Sequence, residues 1–448
     1  MMRAMNVTIQ PVLSQNFTCP VRDVLWGHIY FTPELAALTE SAPFMRLHRI
    51  LQLGPVYRIY PGATHTRASH SMGVYHLGRR LLQNLAERGI EGWVTREGAL
   101  SFLCACLLHD LGHFPYTHSL KELPLRSHES LTGTLILAEP VKSLVGKSGA
   151  DPALTAAIID RELPAGGSTE LLFYRKLLSG CFDPDKFDYL NRDARYCGVP
   201  YGVQDVDFIL ARLIPSPERG VDIDSRLIPN VEAILFAKYL MYRTVYWHRQ
   251  VRAATSMIKK ALLDGLELGL IKGEELYALD DQGLFALLRE RIGGAGAGAA
   301  GSGAARSLAE AVREGRLYAV AAEIPFNEAD HACLKDISRR SGYEERLAGE
   351  FRRRGVPLGS GDLIIDIPEP VSFETGLFVS DEQCGFTDSS SAFKAQTLNS
   401  FVNTLYTIRV FVNPDFCEKV ETLPQLSDIL RGEKLWLRGP DYGNTQHH

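Results

Sequence analysis

Histidine and aspartate crowd one part of this chain. His109 and Asp110 end the segment Gly98-Ala-Leu-Ser-Phe-Leu-Cys-Ala-Cys-Leu-Leu-His-Asp-Leu-Gly112, and His113, His118 and His128 follow closely. His70 precedes them in Pro61-Gly-Ala-Thr-His-Thr-Arg-Ala-Ser-His-Ser-Met-Gly73. Imidazole and carboxylate donors without thiolate suit a divalent ion such as Mn, Fe, Mg, Ni or Zn, and an all-nitrogen-and-oxygen site is usually catalytic, not structural. The His-Asp dipeptide alone carries little weight, because the composition predicts ~0.7 such pairs by chance and a pair of this kind can also cap a helix. The clustering of histidines weighs against that bland reading. So does the preceding segment, which is apolar on nearly every side and therefore buried, so that polar groups at its end need partners. His76 points to the other side of its helix from His70 and reads as structural.

A second cluster is Asp183-Pro-Asp-Lys-Phe-Asp-Tyr-Leu-Asn-Arg-Asp193. Asp183 is a natural N-cap with Pro184 at the first helical position. At 100° per residue, Asp185, Lys186, Tyr189, Arg192 and Asp193 then share one face. A solvated face laced with ion pairs is the usual meaning of such a run, but Tyr196 joins this face and only Phe187 and Leu190 face a core. A third face lies on the long helix after Pro229, where Lys238, Tyr242, Tyr246 and Arg249 align. Cations interleaved with aromatics suit a phosphate ester carrying a ring; core packing with snorkelling cations is the alternative.

The elements that must hold these groups are mostly helical. Helix-period patterns dominate from Pro33 to about Leu266, as where Val74, Leu77, Leu81, Leu82 and Leu85 share a face. The run from Gly293 to Gly303 is too rich in glycine to hold a helix cheaply. Beyond it, helical patterns around Arg306 to Arg316 and Tyr343 to Arg353 alternate with strand-like runs at Asp362 to Ile367 and Leu405 to Val412. The expected organisation is an N-terminal extension over 1–20, a helical domain over 21–290, a flexible glycine- and alanine-rich loop or linker over 291–305, and a smaller α+β C-terminal domain over 306–448. A chain with 45% apolar and 23% charged residues buries a sizeable core, which excludes collagen-like, wholly disordered and coiled-coil classes. The formal charge of -5 argues against coating nucleic acid by bulk charge, leaving only local basic patches for such contact. Eight scattered cysteines without a C-x-x-C pair point to a reducing interior. No apolar run reaches the ~18 residues of a membrane span, and the N-terminus lacks a signal-peptide block; a cytoplasmic location without membrane partners is expected.

In these residues the chain resembles the HD-domain metal phosphohydrolases, whose signature is His, then His-Asp, then a distant Asp. His70, His109-Asp110 and Asp185 match it. More closely, it looks like the dNTP triphosphohydrolase branch in Gly27 to Pro33, Phe44 to Arg49, Gln52-Leu-Gly54, Pro61 to Arg67, His109 to His118, Asp185 to Tyr189 and Tyr242 to His248. Those stretches lie within about residues 22 to 266, and Arg409 to Val412 resembles a strand found near the C-terminus in that group. The resemblance implies a mainly α fold, an HD-domain helical core with a smaller α+β C-terminal domain. It implies that His70, His109, Asp110 and Asp185 hold the metal, and that Arg67, Lys186 and Lys238 grip a triphosphate with Tyr189 beside them. His118 and His128 would lie near the scissile phosphate with His113 next to them. Gln52 and Asp193 would read the sugar 3′-hydroxyl, Leu53 would pack on the base, and Tyr246 would close off the 2′ position. One departure stands out: relatives carry Asp or Glu three residues after the match to His118, and this chain has Lys121, with Glu122 next.

The expected activity is metal-dependent hydrolysis of a deoxynucleoside triphosphate to deoxynucleoside and triphosphate, by a homo-oligomer as in the family. The ion would polarise the α-phosphate and activate water, and His118 or His128, titrating near neutral pH, would protonate the leaving 5′-oxygen. Two rivals remain. One is an HD phosphohydrolase acting on a monophosphate or signalling nucleotide, which Lys121 favours. The other is a nucleotide- or nucleic-acid-binding regulator without turnover, which a full ligand set disfavours.

Overall fold

Threonines start the two helices that carry the histidine signature. Thr66 accepts the Ser69 amide at the head of α1 (Arg67–Ala86), and Thr95 accepts the Gly98 amide at the head of α2 (Arg96–Leu108). The computed structural model describes residues 9–293, 302–359, 361–369 and 371–423. Residues 1–8 of the expected extension, 294–301 at the centre of the expected linker and 424–448 of the expected C-terminal domain lie outside the described residues. Every side chain of α2 from Gly98 to Leu108 is buried, as its all-round apolarity requires, and the helix packs against α1. A hairpin of β1 (Cys19–Asp23) and β2 (Gly27–Phe31) precedes them, with Phe31 stacked 4.5 Å from Tyr75 of α1.

Four further helices complete the walls of the site. α3 (His128–Ile136) is capped by Ser127. α4 (Pro184–Cys197) starts as the sequence dictates, Asp183 accepting the Lys186 amide at 2.6 Å with Pro184 behind it, and ends on Gly198 at φ +67°. α5 (Ile228–Met241) runs into a π-helical turn over Tyr242–Tyr246, and a new helix, α6 (Arg249–Glu267), follows. α7 (Asp281–Gly293) and α8 (Ser302–Glu314) pack on α6, with Leu284, Leu288, Leu308 and Val312 in one core with Met257 and Leu262.

The fold is mainly α, with a smaller α+β region. There a three-stranded antiparallel sheet has order β3 (Ala319–Pro325), β5 (Thr407–Val412), β4 (Leu363–Asp366), with β5 central. The strand period sorts its residues: Leu363, Ile365, Val410 and Val412 pack against Leu347 and Phe351 of α9 (Ile337–Arg353), whereas Ile364 and Phe411 face Met257 and Ile258 of α6. The sheet is therefore clamped between α6 and α9. Buried ion pairs add to the joint: Arg252 of α6 holds Asp366 of β4 through two bonds of 2.8 and 2.5 Å. The chain from Leu377 to Leu398 returns to the helical core, where Leu377, Val379 and Phe386 are buried. None of the eight cysteines forms a disulfide. Among the described residues no helix is long and apolar enough to cross a membrane.

Candidate active site

His109 and Asp110 sit where α2 ends and the chain turns back through Gly112. Arg46 secures this turn, its buried guanidinium donating to the carbonyls of His113 at 2.6 Å, Leu111 at 2.8 Å and Leu279 at 3.0 Å. On the other side the Gly112 amide donates to Thr132 Oγ1 at 2.8 Å, which brings α3 against the turn. A Cβ on Gly112 would meet the His128 carbonyl at 2.4 Å and the Thr132 amide at 2.5 Å. Both are backbone atoms and cannot swing aside. Gly112→Ala should therefore push α3 and His128 away and cost about 1–3 kcal/mol; an unchanged melting curve would contradict this packing.

The metal-capable cluster is built from three elements. His70 of α1, His109 and Asp110 each offer a ligand atom, all within 4.8 Å of one another, and Asp185 of α4 brings Oδ1 to 3.0 Å from His70 Nε2 and 3.8 Å from His109 Nε2. His109 Nδ1 lies 3.0 Å from the Cys106 carbonyl, to which it donates, so Nε2 is left with its lone pair. That Nε2 is buried and has no hydrogen-bond partner. A buried unpaired imidazole nitrogen facing carboxylates is costly and fits a divalent cation. His70 is oriented from behind: its Nδ1 lies 2.8 Å from Asp188, a fully buried carboxylate that also accepts from Arg192 at 2.7 and 2.9 Å and from Trp26 Nε1 at 2.6 Å. Such carboxylate–histidine support is the usual outer shell of a metal ligand. Burial alone would lower His70, but its hydrogen bonds to Asp185 and Asp188 outweigh this and raise it to about 10. Burial pushes Asp185 up; His70 and His109 outweigh it and hold the carboxyl at about 2.

Beside this cluster stand the other three histidines. His113 is fully buried behind the cavity wall, with Nδ1 3.2 Å from Asp110, Nε2 3.1 Å from His118 Nε2, and its ring 3.9 Å from that of His128. Asp110, His113 and His128 form a second set of donors within 4.8 Å, sharing Asp110 with the first. His128 Nδ1 lies 3.1 Å from Glu129. The expectation that His118 or His128 titrates near neutral pH is corrected by their surroundings: burial pushes His118 well down, and it pushes His128 down to about 4 against the pull of Glu129. Both rings are thus neutral at pH 7 in the free protein. Glu122, adjacent to the unexpected Lys121, orients no histidine. It is held by Lys259 and, at 2.6 Å, by Arg340. The carboxylate beside His128 is Glu129, and its only signal in the sequence is that adjacency.

The cluster opens into a cavity of about 620 Å³ whose wall includes Gln52, Leu53, Arg67, His118, His128, Lys186, Tyr189, Asp193, Lys238 and Tyr246. Of the metal, catalytic and substrate residues that the resemblance implied, all but His113 line the cavity. Arg67 donates to Asp110 at 2.7 Å and keeps a buried Nε without a partner. Asp193 is occupied on both oxygens, by His65 at 2.7 Å and by the Tyr246 hydroxyl at 2.7 Å. Gln52 Oε1, by contrast, is a buried acceptor without a donor. Lys186 donates to Asp183 at 2.8 Å and Lys238 to Glu374 at 2.9 Å. Burial works against charge on Glu374, but Lys186 and Lys238 outweigh it and keep the carboxyl ionised.

Two expectations about faces change. Arg192 does not share the cavity face of α4; it is fully buried and bound by Asp188 and Asp23. Arg249 leaves the Lys238, Tyr242, Tyr246 face, because α5 ends before it and the π-helical turn and Trp247 intervene; it is exposed at the start of α6. Arg252 and Lys259 of α6 line the cavity instead.

The family model described as the HD domain matches residues 67–156, and the one described as the HD associated region matches residues 210–431. The uncharacterized protein YwfO of Bacillus subtilis is 36% identical over 227 residues, 50% of this chain and 50% of that protein. The deoxynucleoside triphosphate triphosphohydrolase SAMHD1 of Homo sapiens is 26% identical over 309 residues, covering 61% of this chain and 49% of its own. The chain thus spans about half the length of these curated relatives. A solved structure of a phosphohydrolase from Bacteroides thetaiotaomicron superposes with a TM-score of 0.63 at 20% identity, over 88% of this chain and 99% of that one, a likeness of fold.

Proposed function

The chain belongs to the HD-domain proteins and has a phosphohydrolase fold, and on that premise we propose that it hydrolyses deoxynucleoside triphosphates to deoxynucleoside and triphosphate. The observation that carries this reading is that one cavity joins the His70, His109, Asp110 cluster to the lysine pair Lys186 and Lys238. His70, His109, Asp110 and Asp185 would hold a divalent cation, which would supply Lewis acidity at the α-phosphate. Arg67, whose Nε is free, and the two lysines bind the phosphate oxygens and stabilise charge that builds there. His128, with the Glu129 carboxylate beside it, takes up and passes on a proton once phosphate charge arrives; His118 shares that wall, and His113 positions both. Gln52 Oε1 accepts the 3′-hydroxyl, Leu53 lies against the base, and Asp193 fixes Tyr246. A reducing, cytoplasmic setting and a homo-oligomer belong to the same proposal.

Incubating the purified chain with each dNTP and several divalent ions, then separating nucleoside from triphosphate, tests it. Equal yields of deoxynucleoside and triphosphate are expected. Release of pyrophosphate, or turnover of dGMP alone, would replace the reading with another nucleotide phosphohydrolase, and binding without any product would leave a regulator.

Tyr246 supplies a separate prediction. Its hydroxyl is committed to Asp193 and its ring lies 5.1 Å from Tyr242 and 6.5 Å from Tyr189, so it is held rigidly at the cavity wall. A ring pressed against C2′ leaves a ribose hydroxyl either clashing or buried without a partner, at about 1 to 3 kcal/mol. Tyr246→Ala should narrow the gap in kcat/KM between dGTP and GTP, chiefly by losing deoxynucleotide activity. A folded variant with an unchanged ratio would take Tyr246 out of substrate selection.

A further inference from the structure

Glu374 reaches the lysine pair from far along the chain. It lies on the irregular stretch between β4 and the return to the helical core, and together with Ser372 and Val371 it forms part of the cavity wall. Lys238 Nζ donates to Glu374 Oε2 at 2.9 Å and to the Ser372 carbonyl at 2.7 Å, Lys186 Nζ stands 3.8 Å from the same carboxylate oxygen, and Ser372 Oγ donates to Oε1 at 2.8 Å. The stretch is fastened on both sides of this contact. Val371 packs with Tyr239 and Trp247, Phe373 stands 5.9 Å from Phe401, and Leu377 enters the helical core. The lysine side chains are 12% and 7% exposed, whereas the Glu374 side chain keeps 32%.

Two cations buried to that degree need anions: Asp183 serves Lys186 at 2.8 Å, and Glu374 serves Lys238 at 2.9 Å while standing 3.8 Å from Lys186. The Glu374 carboxylate is the partner best placed to leave, being the most exposed of the four and carried, among the described residues, outside any helix or strand. Any ligand anion that reaches the lysines must therefore exchange with it. One negative charge replacing another gains little. A phosphate group, with up to two charges and three acceptor oxygens, gains an additional contact with the second lysine, which Glu374 touches only at 3.8 Å. We propose that Glu374 is a specificity-determining residue, an internal anion that keeps weakly charged ligands off the lysine pair and yields to the outer phosphates of a polyphosphate chain. Specificity of this kind rests on an obstacle to the wrong ligand as much as on attraction to the right one.

The inference rests on the reading that Lys186 and Lys238 bind phosphate, and the test separates the two. Calorimetric titration of the full chain with inorganic tripolyphosphate compares the parent with Glu374→Gln and Lys238→Met. Removing an anion from a partly exposed ion pair should tighten tripolyphosphate binding by about fivefold and give inorganic phosphate a measurable affinity, while Lys238→Met weakens tripolyphosphate. If Lys238→Met weakens binding but Glu374→Gln leaves it unchanged or weaker, the lysines bind phosphate and Glu374 only holds Lys238 in place, which overturns the inference. If neither variant alters binding, the lysine reading itself fails and the inference with it. Glu374→Ala repeats the measurement should the glutamine variant melt below the parent.

Discussion

Asp110→Ala should lose its divalent ion and its turnover together. Asp110 is the one residue common to both sets of metal-capable donors, His70, His109, Asp110 and Asp110, His113, His128, so its loss disarms either arrangement. Losing support even outside the ligand set typically costs 10–100-fold in metal affinity, and a ligand itself should cost at least that; elemental analysis after dialysis should find roughly a tenth of the parent ion content or less. The helical core, packed by α1 and α2, remains. The variant should nevertheless melt lower, because Arg67, bonded to Asp110 at 2.7 Å and 5% exposed, loses its buried acceptor at about 1–3 kcal/mol. Asp110→Asn separates the two effects, restoring an acceptor for Arg67 but not the anionic ligand: its melting temperature should recover and its ion content should not. Unchanged ion content in both variants would remove Asp110 from the ligand set.

The parts of this site that were legible in the sequence are those fixed by local rules. The cap Asp183 and its following Pro184 set where α4 begins, and the helical period then placed Asp185, Lys186, Tyr189 and Asp193 on the cavity side. The all-round apolarity of α2 announced a buried helix whose polar end required partners, and His109 Nε2 is the atom that still lacks one. What the period could not supply is which way a charge within an arc turns. Arg192 shares the arc but is drawn inward by Asp188 of its own helix and by Asp23 of the N-terminal hairpin, the latter 169 positions away. The face containing Arg249 was lost to the π-helical turn, since one wider turn shifts the register of everything after it. Glu374 had no local signal at all. Its meaning lies in the approach of an irregular segment to Lys238 across 136 positions, a contact made by the tertiary packing of Val371 and Leu377 and not by any pattern around the glutamate.

His128→Ala should keep the ion and lose rate, by the ~10²- to 10⁴-fold typical of general acid or base assistance. The imidazole stands between Glu129, whose carboxylate lies 3.1 Å from Nδ1, and the His113 ring 3.9 Å away, with its ring on the cavity wall. Burial pushes the ring down to about 4, so in the free protein it waits as a neutral acceptor, and the phosphate charge of a bound substrate is what favours the imidazolium. Single-turnover measurement with dGTP under saturating metal isolates this step from product release. Ion content measured on the same sample decides between the two donor sets. Retention assigns the ion to His70, His109 and Asp110, whereas loss in His128→Ala would shift it to Asp110, His113 and His128 and make His128 a ligand. A parental rate with retained ion would reduce His128 to a packing partner of His113. Glu129→Gln adds the last distinction: if Glu129 acts only by orienting His128, the double variant should be no slower than His128→Ala alone, because residues that work as one unit do not add. A further loss in the double variant would give Glu129 a role of its own at the cavity wall.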